Sequence, residues 1–211
     1  MIAEDFFYLW SFPFERASRL VTPDVAPVRF EDRAWLAVAA VRFRSLSLGP
    51  MPLTWNASVA GLLLICDYRD RVGSVLRGNY FLRTVTDSRV IAIGARAIES
   101  GYGELGRITL DSTGALEAPT VRVRLGDPAS SEGVSRIERL FAGNRSGLVR
   151  QGSRARYCAL EKDHWKMSVR KLVQERFDWI EGLDPKPELG FDTSFNCGRW
   201  SRLHVVGSLG I

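Results

Sequence analysis

Apolar positions cluster into short runs with imperfect alternation, and they rarely recur at the three-to-four-residue spacing of helices. Residues 34–48 (AWLAVAAVRFRSLSL) combine β-branched and aromatic side chains, and Val41, Phe43 and Leu46 keep no single period. That pattern predicts a strand with a bulge. Pro50 and Pro52 interrupt it, and residues 59–68 predict a second long strand. Residues 79–86 (NYFLRTVT) predict a third, followed by a short helix over 88–99 capped by Asp87 and closed near Gly101. Residues 106–110 and 120–125 predict a hairpin around the turn Asp111-Ser112-Thr113-Gly114, with Val121, Val123 and Leu125 alternating against Arg122 and Arg124.

Val134, Ile137, Leu140 and Phe141 share one helical face, ended by Gly143. Residues 165–180 fit two periods. Trp165, Met167 and Val169 alternate as in a strand, whereas Leu172, Val173 and Phe177 suit a helix. Residues 1–16 hold Phe6, Phe7, Tyr8, Trp10, Phe12 and Phe14, which predicts an aromatic N-terminal arm or short helix. Strands outnumber helices and no long βαβ alternation occurs, so the expected class is mainly β, a barrel or sandwich with a few helices.

The 211 residues fit one domain with a substantial core. Hydrophobic residues at 45% and charged residues at 25% argue against disorder and coiled coil. The longest apolar runs, 34–41 and 59–66, fall well short of the about 20 residues that cross a bilayer. Glu4 and Asp5 stand where a secretory leader carries basic residues, so the expected location is cytoplasmic, with no membrane partner. Cys66, Cys158 and Cys197 are widely spaced and form no C-x-x-C, which predicts neither a disulfide framework nor zinc. His164 and His204 are too few for a histidine metal cluster, and no metal or other cofactor is expected.

Charge changes the picture more. Of 29 basic residues, 25 are arginine and four are lysine: Lys162, Lys166, Lys171 and Lys186. Arginine stays protonated and forms no Schiff base, whereas a desolvated lysine can. Before Lys162 the side chains therefore offer no amine nucleophile. The positive charge is scattered among acids and makes no run, so nucleic acid is not an expected partner. Gly101-Tyr102-Gly103-Glu104-Leu105-Gly106 matches G-x-G-x-x-G, but it follows a predicted helix and leads into a strand, the reverse of a dinucleotide site.

The stretch Gly78-Asn79-Tyr80-Phe81-Leu82-Arg83, running through Asp87-Ser88 to Gly94-Ala95-Arg96 and the turn 101–106, resembles the acetoacetate decarboxylase superfamily, and more closely its YqjF-like branch. Phe30 to Trp35, Leu140-Phe141 with Asn144-Arg145, and His164-Trp165 resemble further pieces in the same order, over roughly residues 16–167. The resemblance implies a closed or nearly closed β-barrel around an apolar cavity, as a single domain over 1–211. In the decarboxylases a cavity lysine forms an imine with a β-keto acid. Here the matching position falls on Gly103 or Glu104, the nearby proline is absent, and the family's cavity glutamate has no counterpart, Asp67 being the nearest acid.

Neither glycine nor glutamate forms an imine. The expectation is a protein with a small-molecule substrate or ligand, doing non-covalent acid/base chemistry (cyclisation, dehydration or isomerisation) on a keto-acid- or polyketide-like carbonyl compound. Glu104 and Tyr102 would carry protons, Arg83 or Arg96 would hold an anion, and Tyr80 and Tyr68 would contact substrate. For each of these residues an ordinary structural role stands beside the chemical one. The alternatives are a binding protein for a hydrophobic metabolite and an interaction module using the aromatic N-terminal segment, which equally suits core packing or a homo-oligomer contact.

Overall fold

The computed structural model describes residues 2–47, 54–69, 73–97, 103–142, 144–151, 154–159, 167–193 and 204–208. In chain order the elements are β1 (Ile2–Pro13), a 3₁₀ helix (Phe14–Leu20), β2 (Val25–Pro27), β3 (Arg33–Ser47), β4 (Thr54–Arg69), β5 (Val75–Thr86) and α1 (Arg89–Ala97). They continue with β6 (Gly103–Leu105), β7 (Thr109–Leu110), β8 (Ala115–Ala118), β9 (Val121–Pro128), α2 (Ser131–Phe141), β10 (Asn144–Gln151), β11 (Arg154–Ala159), β12 (Met167–Phe177), β13 (Lys186–Thr193) and β14 (His204–Ser208).

The described strands belong to one curled sheet, ordered β14-β11-β10-β5-β4-β3-β1-β13-β12-β9-β8-β7, with β2 on β4 and β6 on β5. The mainly β, half-barrel architecture agrees with the class expected from the sequence. Among the described residues no ladder joins β7 to β14.

The segment expected as an arm or short helix is β1, at the centre of the sheet between β3 and β13. Phe6, Tyr8, Trp10 and Phe12 enter one core cluster, and Phe7 and Leu9 enter another on the opposite face. A strand covered on both sides shows no polar alternation, which is why its sequence carries no strand signature. The second cluster is roofed by α2 through Ile137, Leu140 and Phe141. There Phe7 stacks on Phe191 at 4.9 Å, and the edge of Phe141 meets Phe191 at 5.3 Å.

The expected bulge in residues 34–48 is present as a register shift between Phe43 and Leu46. Of the stretch 165–180, residues 167–177 form strand β12, and Val169 lies in the α2-side cluster and Leu172 in the other, as their odd separation in a strand requires. An extra residue, Glu175, bulges β12 between Gln174 and Arg176 and advances the side-chain phase by one, so Leu172 and Phe177 share a cluster at a spacing that imitates a helix. The predicted hairpin has an extra strand. The Asp111–Gly114 turn joins β7 to β8, and β8 pairs β9 with Leu116 and Ala118 buried. Ser88, not Asp87, caps α1, accepting from Ile91 N–H at 3.4 Å. The Asp87 carboxylate accepts instead from Ser58 N–H at 2.8 Å, tying the end of β5 back to β4.

Candidate functional site

A cavity of about 360 Å³ opens on the face of the sheet that carries Tyr8 and Trp10, within the range of small-molecule sites. Its walls are Leu62 of β4, Tyr80 to Arg83 of β5 and Glu104 of β6, with Arg19 and Leu20 of the 3₁₀ helix and Trp179 and Ile180 beyond β12.

A bulge in β5 aims the polar part of this wall. Leu64 pairs with Tyr80 and Leu63 with Phe81, but Leu62 pairs with Arg83, leaving Leu82 without a partner in β4. The extra residue advances the pleat by one, so Tyr80 and Arg83 both face the cavity despite their odd separation. In an unbroken strand Arg83 would share the side of Phe81, which packs in the α2-side cluster.

Glu104 comes from β6, a three-residue strand parallel to β5 with Val85 opposite Glu104. Gly106 holds that strand close, donating its N–H to the Thr86 carbonyl at 2.9 Å. A Cβ on Gly106 would stand 2.9 Å from both Pro119 and Val85, so glycine is required by proximity. Arg83 then grips Glu104 with both arms, Nε donating to Oε1 at 2.9 Å and Nη2 to Oε2 at 2.7 Å. The two side chains are 30% and 44% exposed, so the pair sits at the cavity wall in reach of solvent.

No family model and no curated protein matches this sequence. Solved structures match it over most of its length. The enduracididine biosynthesis enzyme MppR, in complex with the condensation product of pyruvate and imidazole 4-carboxaldehyde, aligns with a TM-score of 0.55 and 14% identity over 90% of this chain and 82% of that one. An acetoacetate decarboxylase-like enzyme from Sphingomonas wittichii RW1 gives 0.56 and 11% over 91% and 89%. The acetoacetate decarboxylase of Legionella pneumophila gives 0.54 and 12% over 98% and 86%. The chain has the acetoacetate decarboxylase-like fold. At such identities the likeness concerns fold, and chemistry has to be argued from the site.

Within that acetoacetate decarboxylase-like fold, the sequence-predicted residues separate. Arg83, Glu104 and Tyr80 come together on the cavity wall, Tyr80 being 2% exposed. Tyr68 is buried in the core cluster on the same face but is not among the described cavity residues. Arg96 is exposed on α1 and donates from Nε to the Gly103 carbonyl at 3.0 Å, stapling the helix to β6. Tyr102, Lys162, Lys166 and His164 lie outside the described residues. Lys171 is exposed on β12, and Lys186 pairs with Glu188 at 3.8 Å.

Among the described residues no group of three His, Cys, Asp or Glu side chains could hold a metal ion, and no helix is long and apolar enough to cross a membrane. Arg19 and Trp179 also line the cavity and carry no site signal in the sequence. Arg19 sits in the mixed polar stretch Glu15-Arg16-Ala17-Ser18-Arg19, which looks like any solvated surface, and Trp179 lies in a turn beside Asp178.

Proposed function

We propose that the protein is an enzyme acting on a keto-acid- or polyketide-like carbonyl compound by non-covalent acid/base chemistry. The observation that supports this reading is the Arg83–Glu104 pair set in an otherwise largely apolar cavity of ligand size. Glu104 is the group that takes and returns a proton, such as one α to a carbonyl, with Tyr102 as its proposed companion. Arg83 is a positioning residue. Its two-pronged grip fixes the carboxylate's plane and in-plane rotation, which a single hydrogen bond leaves free.

No step in this scheme forms an imine, because neither residue at the position matched to the decarboxylase lysine, Gly103 or Glu104, carries an amine. Tyr80, Leu62 and Leu82 would hold the substrate's apolar body.

The test is intact-mass spectrometry with borohydride, run beside substrate consumption, on a panel of β-keto acids. The expected result is consumption without a reduced adduct, and loss of consumption by roughly a hundredfold or more in Glu104→Gln. A borohydride-trapped adduct, or unchanged turnover in Glu104→Gln, overturns the scheme. A second reading, a protein that sequesters a hydrophobic metabolite, draws support from the same pair. Both Glu104 oxygens are already engaged by Arg83, as suits a passive wall. Binding of the panel without consumption would favour it.

A further inference from the structure

The described cavity wall holds two cations, Arg19 and Arg83, and one anion, Glu104. Arg83 and Glu104 satisfy each other and contribute no net charge. Across the described residues Arg19 has no ion-pair or hydrogen-bond partner, although it lines the same cavity from the last turn of the 3₁₀ helix. Trp179, also on the wall, is 5% exposed and presents its apolar ring to the cavity, while its indole N–H is shielded from solvent and has no acceptor among the described residues. Arg19 is therefore the cavity cation left open to a ligand anion, and the Trp179 ring is part of the apolar wall.

The segments carrying them are fixed to each other. Arg16 donates to the Gly182 carbonyl at 3.3 Å, and Asp178 N–H donates to the Thr120 carbonyl at 2.7 Å. Ala17, fully buried, anchors the 3₁₀ helix to the core.

We infer that Arg19 is the anchor for a ligand carboxylate at the rim, with the Trp179 ring as apolar wall for the same ligand. This rests on the proposed reading of the cavity as a site for carbonyl compounds, and it adds a direction. The carboxylate end lies at Arg19 and the Trp179 turn, and the reacting carbonyl end lies toward Glu104. Arg83 is spent on Glu104 and does not select for anions.

The experiment is calorimetric titration with 3-benzoylpropionate, a stable keto acid, and with its neutral methyl ester. In the wild-type protein the acid is expected to bind about tenfold or more tightly than the ester. Arg19→Leu should bring that ratio close to one while leaving the ester's affinity unchanged. Removing the pair as a unit, in Arg83→Leu/Glu104→Gln, should leave the ratio standing. Trp179→Ala, which removes the ring, should weaken both compounds several-fold and leave the ratio standing. Because Arg19 is exposed, the acid's advantage should also shrink as salt is raised.

Equal binding of acid and ester, survival of the ratio in Arg19→Leu, its loss in the double variant, or no binding of either compound overturns the assignment. The readout is binding and not turnover. A preserved Arg19-dependent ratio alongside unchanged turnover in Glu104→Gln would sink the acid/base scheme and keep the anchor.

Discussion

Arg83 and Glu104 face each other across two adjacent parallel strands because Leu82 has no partner in β4. The bulge turns Arg83 onto the cavity face, and Gly106 lets β6 approach closely enough to present Glu104 there. Two local irregularities thus produce one two-pronged contact.

Arg83→Lys separates charge from geometry. Lysine keeps the positive charge but is a single point donor without the planar fork. With Glu104 as proton carrier, kcat for a keto acid should fall about tenfold or more while KM stays near its wild-type value. Stability should change by less than about 1 kcal/mol, because both partners are partly exposed. Steady-state kinetics with a denaturation curve checks both. Equal losses in kcat and stability would reduce Arg83 to a structural role.

The sequence carried the local signals and lost those that depend on neighbours. β4 and the bulged β3 were readable because their β-branched and apolar content is high and their bounds are marked by Pro50 and Pro52. β1 shows no strand signature because burial on both faces erases alternation, and β12 is ambiguous because a bulge at Glu175 breaks its phase. At the site, Arg83 and Glu104 were visible as polar residues in an apolar context. Their pairing was not, since it depends on a one-residue bulge and on β6 lying parallel to β5. Arg19 and Trp179 reach the cavity only through tertiary folding of two short connections.

Arg136 is the clamp that holds α2. Its guanidinium lies over the Trp35 ring at 4.7 Å, bonds Glu188 at 3.1 Å and pairs with Glu31. Glu188 is only 10% exposed and also accepts from the Ser11 hydroxyl at 2.6 Å. Arg136→Ala should therefore cost about 2–3 kcal/mol in urea denaturation, since it strips a largely buried carboxylate of its main countercharge. Arg136→Ala combined with Glu188→Gln should recover part of that loss. A cost under about 0.5 kcal/mol for Arg136→Ala would mean that α2 is held by Ile137, Leu140 and Phe141 alone.

Asp111 organises the β7–β8 turn. Burial opposes its charge, but bonds from Ala115 N–H, the Thr113 hydroxyl and Thr113 N–H outweigh it and hold the carboxyl below the usual value. A depressed folded-state value stabilises the fold above the unfolded carboxyl's range and stops doing so as pH falls through the folded value. Asp111→Asn should lower stability at pH 7 by about 0.5–1 kcal/mol, a modest figure because the turn is exposed. The difference from wild type should narrow on acidification below about pH 4. Thermal melts at pH 7 and pH 3 decide it, and a gap that widens in acid would contradict the assignment.

Cys66 lies on β4 among the core residues of the cavity face and is fully buried. Burial pushes its thiol well above the ordinary value, and the adjacent Asp67 charge adds to the effect. The thiolate is the reactive form, so this cysteine is protected twice, by access and by protonation. Iodoacetamide at pH 8 should leave the Cys66 peptide unmodified in the folded protein and alkylate it rapidly in urea, as read by peptide mass mapping. Because Cys66 pairs with Gly78 on β5 and Pro27 on β2, labelling under native conditions would mean that this end of the sheet opens locally. A keto-acid ligand that binds the cavity should then slow any such labelling, whereas its neutral ester should do so only at higher concentration.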